Sequence, residues 1–364
     1  MASSHHSPTV PFSPCKYYSD DIPQVIDDHI MLSIQISLVI IVRGCVSLSG
    51  VISNFTNAIV FLKLGLKDSM TVGLFALSFT DCLVTLLQVS SCMCYLAQSL
   101  YPRSPINLWA LGYFVFGWII NSMYQVSCWI TVTVSLERCI CVVSPFKVKQ
   151  IFTRLRCALA ILVIYVIHIS LYLPIFISHK MDWVNETPSS TAMNSTGVII
   201  QVLTVIFNEE TAYFEIIFDL TIGVAWLLLS HAIVISSALL MASSLKASTS
   251  VRGHGTVNSL GKDQGQLPVS NMTNRERRLL KVVLFLALNL TLCNIPRYIT
   301  LTVYHTLPGM NTGRQGNLST VMWTITAIFS TLCCSFNLFV YLALNSKFRR
   351  TFLKCMAIYD KEAK

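Results

Sequence analysis

The chain has 364 residues, 54% of them hydrophobic and only 12% charged, and its mean hydropathy is +0.62. A soluble domain carries about 25% charged residues, so a water-facing surface of this size is excluded. Two soluble domains, a collagen and a disordered chain go with it. The formal net charge of +9 suggests a nucleic-acid partner only until the position of each basic residue is read.

Residues 1–30 are polar, with Asp20, Asp21, Asp27 and Asp28, and contain no apolar leader core. The first membrane helix is expected to serve as the insertion signal. Seven long apolar runs follow, at roughly 31–63, 70–98, 108–142, 156–178, 212–244, 277–306 and 320–344. Each reaches the minimum of about 20 residues that a helix needs to cross hydrocarbon. A backbone in lipid must satisfy its own hydrogen bonds, so helices are required, and the period-2 alternation of a β-barrel is absent. The expected fold is an all-α membrane protein, a seven-transmembrane helix bundle with a short amphipathic eighth helix. Its parts are a tail (1–30), the bundle (31–344), and the amphipathic helix with a second tail (345–364).

Most of the 26 lysines and arginines fall on one side of this layout: Lys63, Lys67, Arg138, Lys147, Lys149, Arg154, Arg156, the segment 245–281, and the tail from Lys347. By the positive-inside rule that side is cytoplasmic and the N-terminus extracellular. The net charge is therefore a topology signal, and no nucleic-acid partner is expected. Segment 245–274, rich in Ser, Thr, Gly, Lys and Gln, reads as a flexible cytoplasmic loop. Sequons at Asn185, Asn194 and Asn317 fall in extracellular loops, where glycans are possible. The 13 cysteines sit mostly within spans, where a thiol is a small apolar group, and they show no zinc spacing.

Some polar residues sit where lipid penalises them. An ionisable group inside the membrane costs several kcal/mol unless it faces a partner or water. Asp81 lies in the middle of the second span, with Asn54 and Asn337 at comparable depth in the first and seventh. Together they suggest a shared polar core able to hold a cation, or an aspartate paired within the bundle. Glu137-Arg138 ends the third span at the inner face, and Glu276 begins the sixth at the same level. A guanidinium–carboxylate tie between those ends is the kind of contact a two-state switch breaks, although Arg138 also suits a plain membrane boundary. Pro296 kinks the sixth span. Asn345-Ser-Lys-Phe-Arg-Arg350 has the basic amphipathic character of a helix lying on anionic lipid, and Cys355 beyond it is a candidate for palmitoylation.

Together these residues resemble the rhodopsin-like (class A) G-protein-coupled receptor family over nearly the whole chain. Asn54, Asp81, Arg138, Pro296 and Asn337 each match one helix's signature residue. Glu137-Arg138-Cys139 takes the place of Asp-Arg-Tyr, Cys293-Asn-Ile-Pro296 that of Cys-Trp-x-Pro, and Asn337-Leu-Phe-Val-Tyr341 that of Asn-Pro-x-x-Tyr. Ser127 matches the third-helix sodium-site serine, so the resemblance implies sodium held by Asp81, Ser127 and Asn337; no other cofactor is expected. More narrowly, stretches 136–153 and 61–69 are similar to invertebrate FMRFamide-receptor-like and molluscan chemosensory receptors. The resemblance implies a plasma-membrane receptor with an extracellular peptide or small-molecule ligand, a heterotrimeric G protein as partner, and no catalysis.

The departures are specific. Tyr113 stands where the family's third helix has its disulfide cysteine, and the loop from about 179 to 211 contains no Cys. Asn294 replaces the sixth-helix Trp, and Leu338 the seventh-helix Pro. Ile120 replaces the aspartate of amine receptors and Thr331 the retinal lysine of opsins, so neither kind is expected.

For the ligand, the resemblance turns Asn121, Tyr124 and Gln125 of the third span towards a cavity, and with them Arg297 and Tyr298 just past the kink. Arg43, Glu215 and Asp219 add charges in the outer halves of spans one and five. Glu215 and Asp219 are four apart and share a helix face. A cavity of both signs suits a peptide carrying Arg and a carboxylate, or a zwitterionic small molecule; the plain alternative is that these charges pair with one another or snorkel outward. A channel or transporter is the rival class, weakened by the lack of internal repeats. An intramembrane hydrolase would need catalytic companions that His168 and His231 lack.

Overall fold

The computed structural model describes residues 25–144, 151–186, 200–206, 209–254, 274–307, 310 and 315–362; side chains at 28, 186, 200, 209–212, 244–254, 274–279 and 357–362 are not described. Among the described residues, seven helices are long and apolar enough to cross a bilayer: α1 His29–Leu64, α2 Ser69–Leu100, α3 Leu108–Val143, α4 Arg154–Ser178, α5 Tyr213–Ser243, α6 Leu280–Thr306 and α7 Gly316–Leu344. A further helix, α8, covers Ser346–Glu362. The seven follow the apolar runs of the sequence to within a few residues.

The helix ends follow local rules. Gly65 stops α1 by taking φ +80°, a left-handed conformation that glycine adopts without strain. The Asp68 side chain caps α2 by accepting from the Thr71 N–H at 3.0 Å, and Asn107 caps α3 by accepting from the Ala110 N–H at 2.9 Å. Asn345 likewise accepts from the Phe348 N–H at 3.2 Å as α8 begins. Helical backbone continues past α5 to His254, so residues 245–254 are helix rather than flexible loop. Leu245, Lys246 and Ala247 are good helix formers, and no Gly or Pro interrupts them before Gly253. The rest of that expected loop, 255–273, lies outside the described residues.

Two features escaped the sequence reading. The first is an antiparallel hairpin of β1 Lys180–Glu186 and β2 Ile200–Ile206, in register from Lys180 opposite Ile206 to Glu186 opposite Ile200. A lone two-stranded hairpin is marginal, and this one is braced. The Leu203 N–H donates to the Pro105 carbonyl at 2.9 Å, and the Asn107 N–H donates back to the Leu203 carbonyl at 3.0 Å. Main-chain bonds thus fasten the hairpin to the α2–α3 connection. The second is a set of π-helical stretches, Ile36–Arg43 in α1, Tyr113–Gly117 in α3 and Asp219–Trp226 in α5. Each inserts extra backbone that shifts which side chains face inward, and such bulges concentrate at functional sites.

Packing is layered along the bundle. Near the α8 end, Phe61, Leu74, Leu77, Ile130, Leu280 and Tyr341 form the largest cluster, with Phe61, Tyr341 and Phe348 of α8 in mutual ring contact at 5.1–5.4 Å. A middle cluster gathers Tyr124, Cys128, Leu227, Leu290 and Cys333. A third, of Trp118, Tyr172, Ile175 and Phe218, lies nearer the hairpin. Large apolar residues such as Ile52, Leu155 and Leu239 remain two-thirds exposed on the outer surface, the belt that lipid covers. Helices α2 and α7 press tightly against α1 at Gly50. A Cβ there would lie 2.4 Å from Ser335 Oγ and 2.5 Å from Thr85 Cγ2; small residues permit such close crossings in membranes.

Candidate functional site

A cavity of about 600 Å³ opens among the helices at the hairpin end of the bundle, and Arg43, Asn121, Tyr124, Glu215, Asp219 and Arg297 all line it. The other two residues expected there lie elsewhere. Gln125 is buried and donates from Nε2 to the Ile222 carbonyl at 3.3 Å, which ties α3 to α5. The Tyr298 hydroxyl lies 3.2 Å from Nδ1 of His231, between α5 and α6. Aromatic residues that the sequence did not single out, among them Tyr95, Trp109, Tyr304 and Trp323, complete the walls.

The cavity charges are unequally matched. Arg297, one residue past Pro296, is 5% exposed. It donates from Nη1 to Asn121 Oδ1 at 3.1 Å, while its Nε is buried with no hydrogen-bond partner. No carboxylate lies within 4 Å of it among the described residues. Asp219 stands across a gap: the space that a Cβ on Gly223 would fill is 3.4 Å from Asp219 Oδ1 and 3.8 Å from Arg297 Nη2. Glu215 accepts a hydrogen bond from His179 Nε2, just past the end of α4. Burial disfavours the charged His179 ring, but hydrogen bonds to the Glu215 carboxylate and the Ile175 carbonyl outweigh it and raise its pKa. Arg43 is also inward and buried, and no carboxylate lies within 4 Å of it among the described residues.

Below the cavity floor lies the polar core. Asp81 is fully buried and accepts from Ser127 Oγ at 2.6 Å and from Asn337 Nδ2 at 2.7 Å. Asn54 donates to the carbonyls of Gly50 and Cys334 at 3.0 and 2.9 Å, joining α1 to α7. Asn294, in place of the family's Trp, donates to the Tyr124 hydroxyl and the Leu290 carbonyl, both at 2.8 Å. It therefore links the cavity-lining Tyr124 to the α6 kink. Asn289 donates to the Cys333 carbonyl at 3.0 Å, which ties α6 to α7.

At the opposite end, Arg138 Nη2 donates to Glu137 Oε1 at 2.9 Å, and Ser69 of α2 donates to the same oxygen at 2.6 Å. The restraint seen on Arg138 comes from its own helix and from α2. The expected partner Glu276 begins the helical stretch leading into α6, and its side chain lies outside the described residues. Asn185 sits exposed on β1, and Asn194 lies outside the described residues. Asn317 corrects an expectation: it is 1% exposed and donates from Nδ2 to the Ile26 carbonyl at 2.9 Å, so a glycan on that nitrogen has no room. Cys355 is half-buried on α8.

A charged cavity at one end of seven membrane helices, with a buried polar core below it and an Arg–Glu pair at the other end, has the anatomy of a membrane receptor. The family model described as "7 transmembrane receptor (rhodopsin family)" matches residues 56–341, and the chain belongs to that family. It is accordingly a multi-pass membrane receptor and not an enzyme, of a class whose partners are an extracellular ligand and a heterotrimeric G protein. No curated protein matches the chain.

Proposed function

We propose that the chain is a plasma-membrane receptor for a neuropeptide, with the hairpin end extracellular and the α8 end in the cytoplasm, where it acts on a heterotrimeric G protein. The observation that carries this reading is the cavity with both charge signs on its walls. At about 600 Å³ it falls in the range of sites for compact ligands, so a peptide inserts its charged end and leaves the rest against the hairpin. The Asp219–Arg297 gap favours one second reading, a chemosensory receptor for a zwitterionic small molecule that spans both groups. Binding would bias the bundle by differential affinity for two conformations, with Pro296, Asn294 and Tyr341 on the path to the Glu137–Arg138 pair. Asn185 and Asn194 are the glycan sites of this topology, α8 contacts membrane lipid, and Cys355 takes a palmitoyl chain.

The test is a screen of amidated peptides, free-acid peptides and zwitterionic small molecules on cells expressing the chain, reading calcium and cAMP. A response to peptides with charged ends supports the neuropeptide reading. A response confined to amino-acid-sized zwitterions supports the second, and activation only by uncharged lipids would contradict both.

The polar core supports one ion. Asp81 has no basic partner within 4 Å among the described residues, and its carboxylate with Ser127 Oγ supplies the hard oxygen donors that a small cation takes. Sodium there would offset a buried negative charge. Asp81→Asn is expected to abolish any sodium dependence of agonist affinity; equal dependence in wild type and variant would remove the assignment.

A further inference from the structure

We propose that the Arg43 wall of the cavity is an anion subsite that takes a carboxylate joined to an apolar body. This rests on the cavity being the ligand site and adds a second charged contact, on the side formed by α1 and α2. The backbone sets it up. Arg43 closes the π-helical stretch Ile36–Arg43, and Val39, Arg43 and Ser47 are all buried at steps of four, while Ile41 and Val42 are 57% and 39% exposed. The widened turn carries the guanidinium inward instead of letting it snorkel.

What Arg43 meets there is polar but not anionic. Nε donates to Cys92 Sγ at 3.2 Å and Nη2 to Ser91 Oγ at 3.3 Å, and the guanidinium carbon lies 5.2 Å from the centroid of the Tyr95 ring. No carboxylate comes within 4 Å among the described residues. Arg43 is nonetheless only 6% exposed, and a buried charge without a counter-charge is costly. The other charged groups on the cavity wall have an opposite charge nearby: Glu215 holds His179, and Arg297 has Asp219 across the Gly223 gap, too far to close an ion pair. Arg43 has no acidic group placed even that near among the described residues. Its planar fork fits a carboxylate in bidentate fashion. Beside it, Tyr95 and Trp109 pack edge to face at 5.7 Å and present the flat apolar surface that an organic acid, unlike a bare inorganic ion, would cover.

The carboxylate can belong to a small organic acid or to a peptide, and paired probes separate these sources. The full chain in lipid nanodiscs is melted with indole-3-propionate or its amide, and with a Phe-ending tetrapeptide as free acid or C-terminal amide. At least one acid is expected to stabilise the receptor with an apparent affinity about 10- to 100-fold above that of its amide; which pair shows it identifies the source. Arg43→Gln should erase the preference. Arg43→Lys, which keeps the charge, should retain part of it and covers the case in which the glutamine variant does not fold. Equal shifts from acid and amide, no shift from either acid, or a preference that survives Arg43→Gln would overturn the subsite. An acid preference lost in Arg297→Gln and kept in Arg43→Gln would overturn the subsite while leaving the cavity as the ligand site.

Discussion

Arg297→Ala is expected to reach the cell surface normally and to lower agonist potency about 10- to 150-fold, the equivalent of one lost charge-assisted hydrogen bond of roughly 1.5–3 kcal/mol. If the charge were structural, removing it would strand a carboxylate and impair folding. The geometry points the other way, since among the described residues Arg297 donates to the side chain of Asn121 alone, and its Nε is buried without a partner. Asp219 is near enough to share a ligand group but not to close an ion pair. Arg297→Lys should recover only part of the potency, because an ammonium cannot reproduce the two-pronged donor. Surface expression measured by antibody beside concentration–response curves separates the outcomes; normal surface levels with unchanged potency would remove Arg297 from the site.

The second large effect is structural. Gly50→Val should sharply reduce folded receptor at the surface, because even a single Cβ at this position would stand 2.4 Å from Ser335 Oγ and 2.5 Å from Thr85 Cγ2. Overpacking a tight contact costs about 1–3 kcal/mol, and valine adds two further methyl groups. The displacement would also pull at the Gly50 carbonyl, which accepts from Asn54 and Ser53, so the polar core would loosen with it. Gly44→Val is the control, since a Cβ at Gly44 meets nothing within 4 Å. Equal surface yield from both variants would contradict the close approach.

The spans were legible because lipid imposes a strong and local rule, about 20 apolar residues in a row, and the inner-end charges made the family resemblance readable. Asp81, Ser127 and Asn337 were read as one cluster, and they hydrogen-bond as one. The hairpin was missed because its support is non-local: β2 is held by Pro105 and Asn107, almost a hundred residues earlier. Tyr298 of α6 turns to His231 on α5, a contact that one sequence does not show, and Gln125 was misassigned for a different reason. A π-helical stretch alters side-chain phase without leaving a mark in composition, and α3 and α5 each carry one. The same device turns Arg43 inward. Gly50 is silent in one sequence, because its importance lies in what α2 and α7 bring against it.

The most direct measurement is ligand-free guanine-nucleotide exchange on heterotrimeric G proteins in membranes carrying wild type, Glu137→Gln or Arg138→Ala at matched surface levels. Glutamine preserves the shape of Glu137 but removes the charge that holds Arg138 at 2.9 Å, and the Ser69 bond to the same oxygen weakens with it. Losing about 1.5–3 kcal/mol of restraint shifts a two-state equilibrium by roughly 10- to 150-fold. Glu137→Gln is therefore expected to exchange nucleotide well above wild type, and Arg138→Ala no faster than membranes without receptor. Exchange in Glu137→Gln indistinguishable from receptor-free membranes, across all G-protein classes, would contradict the account.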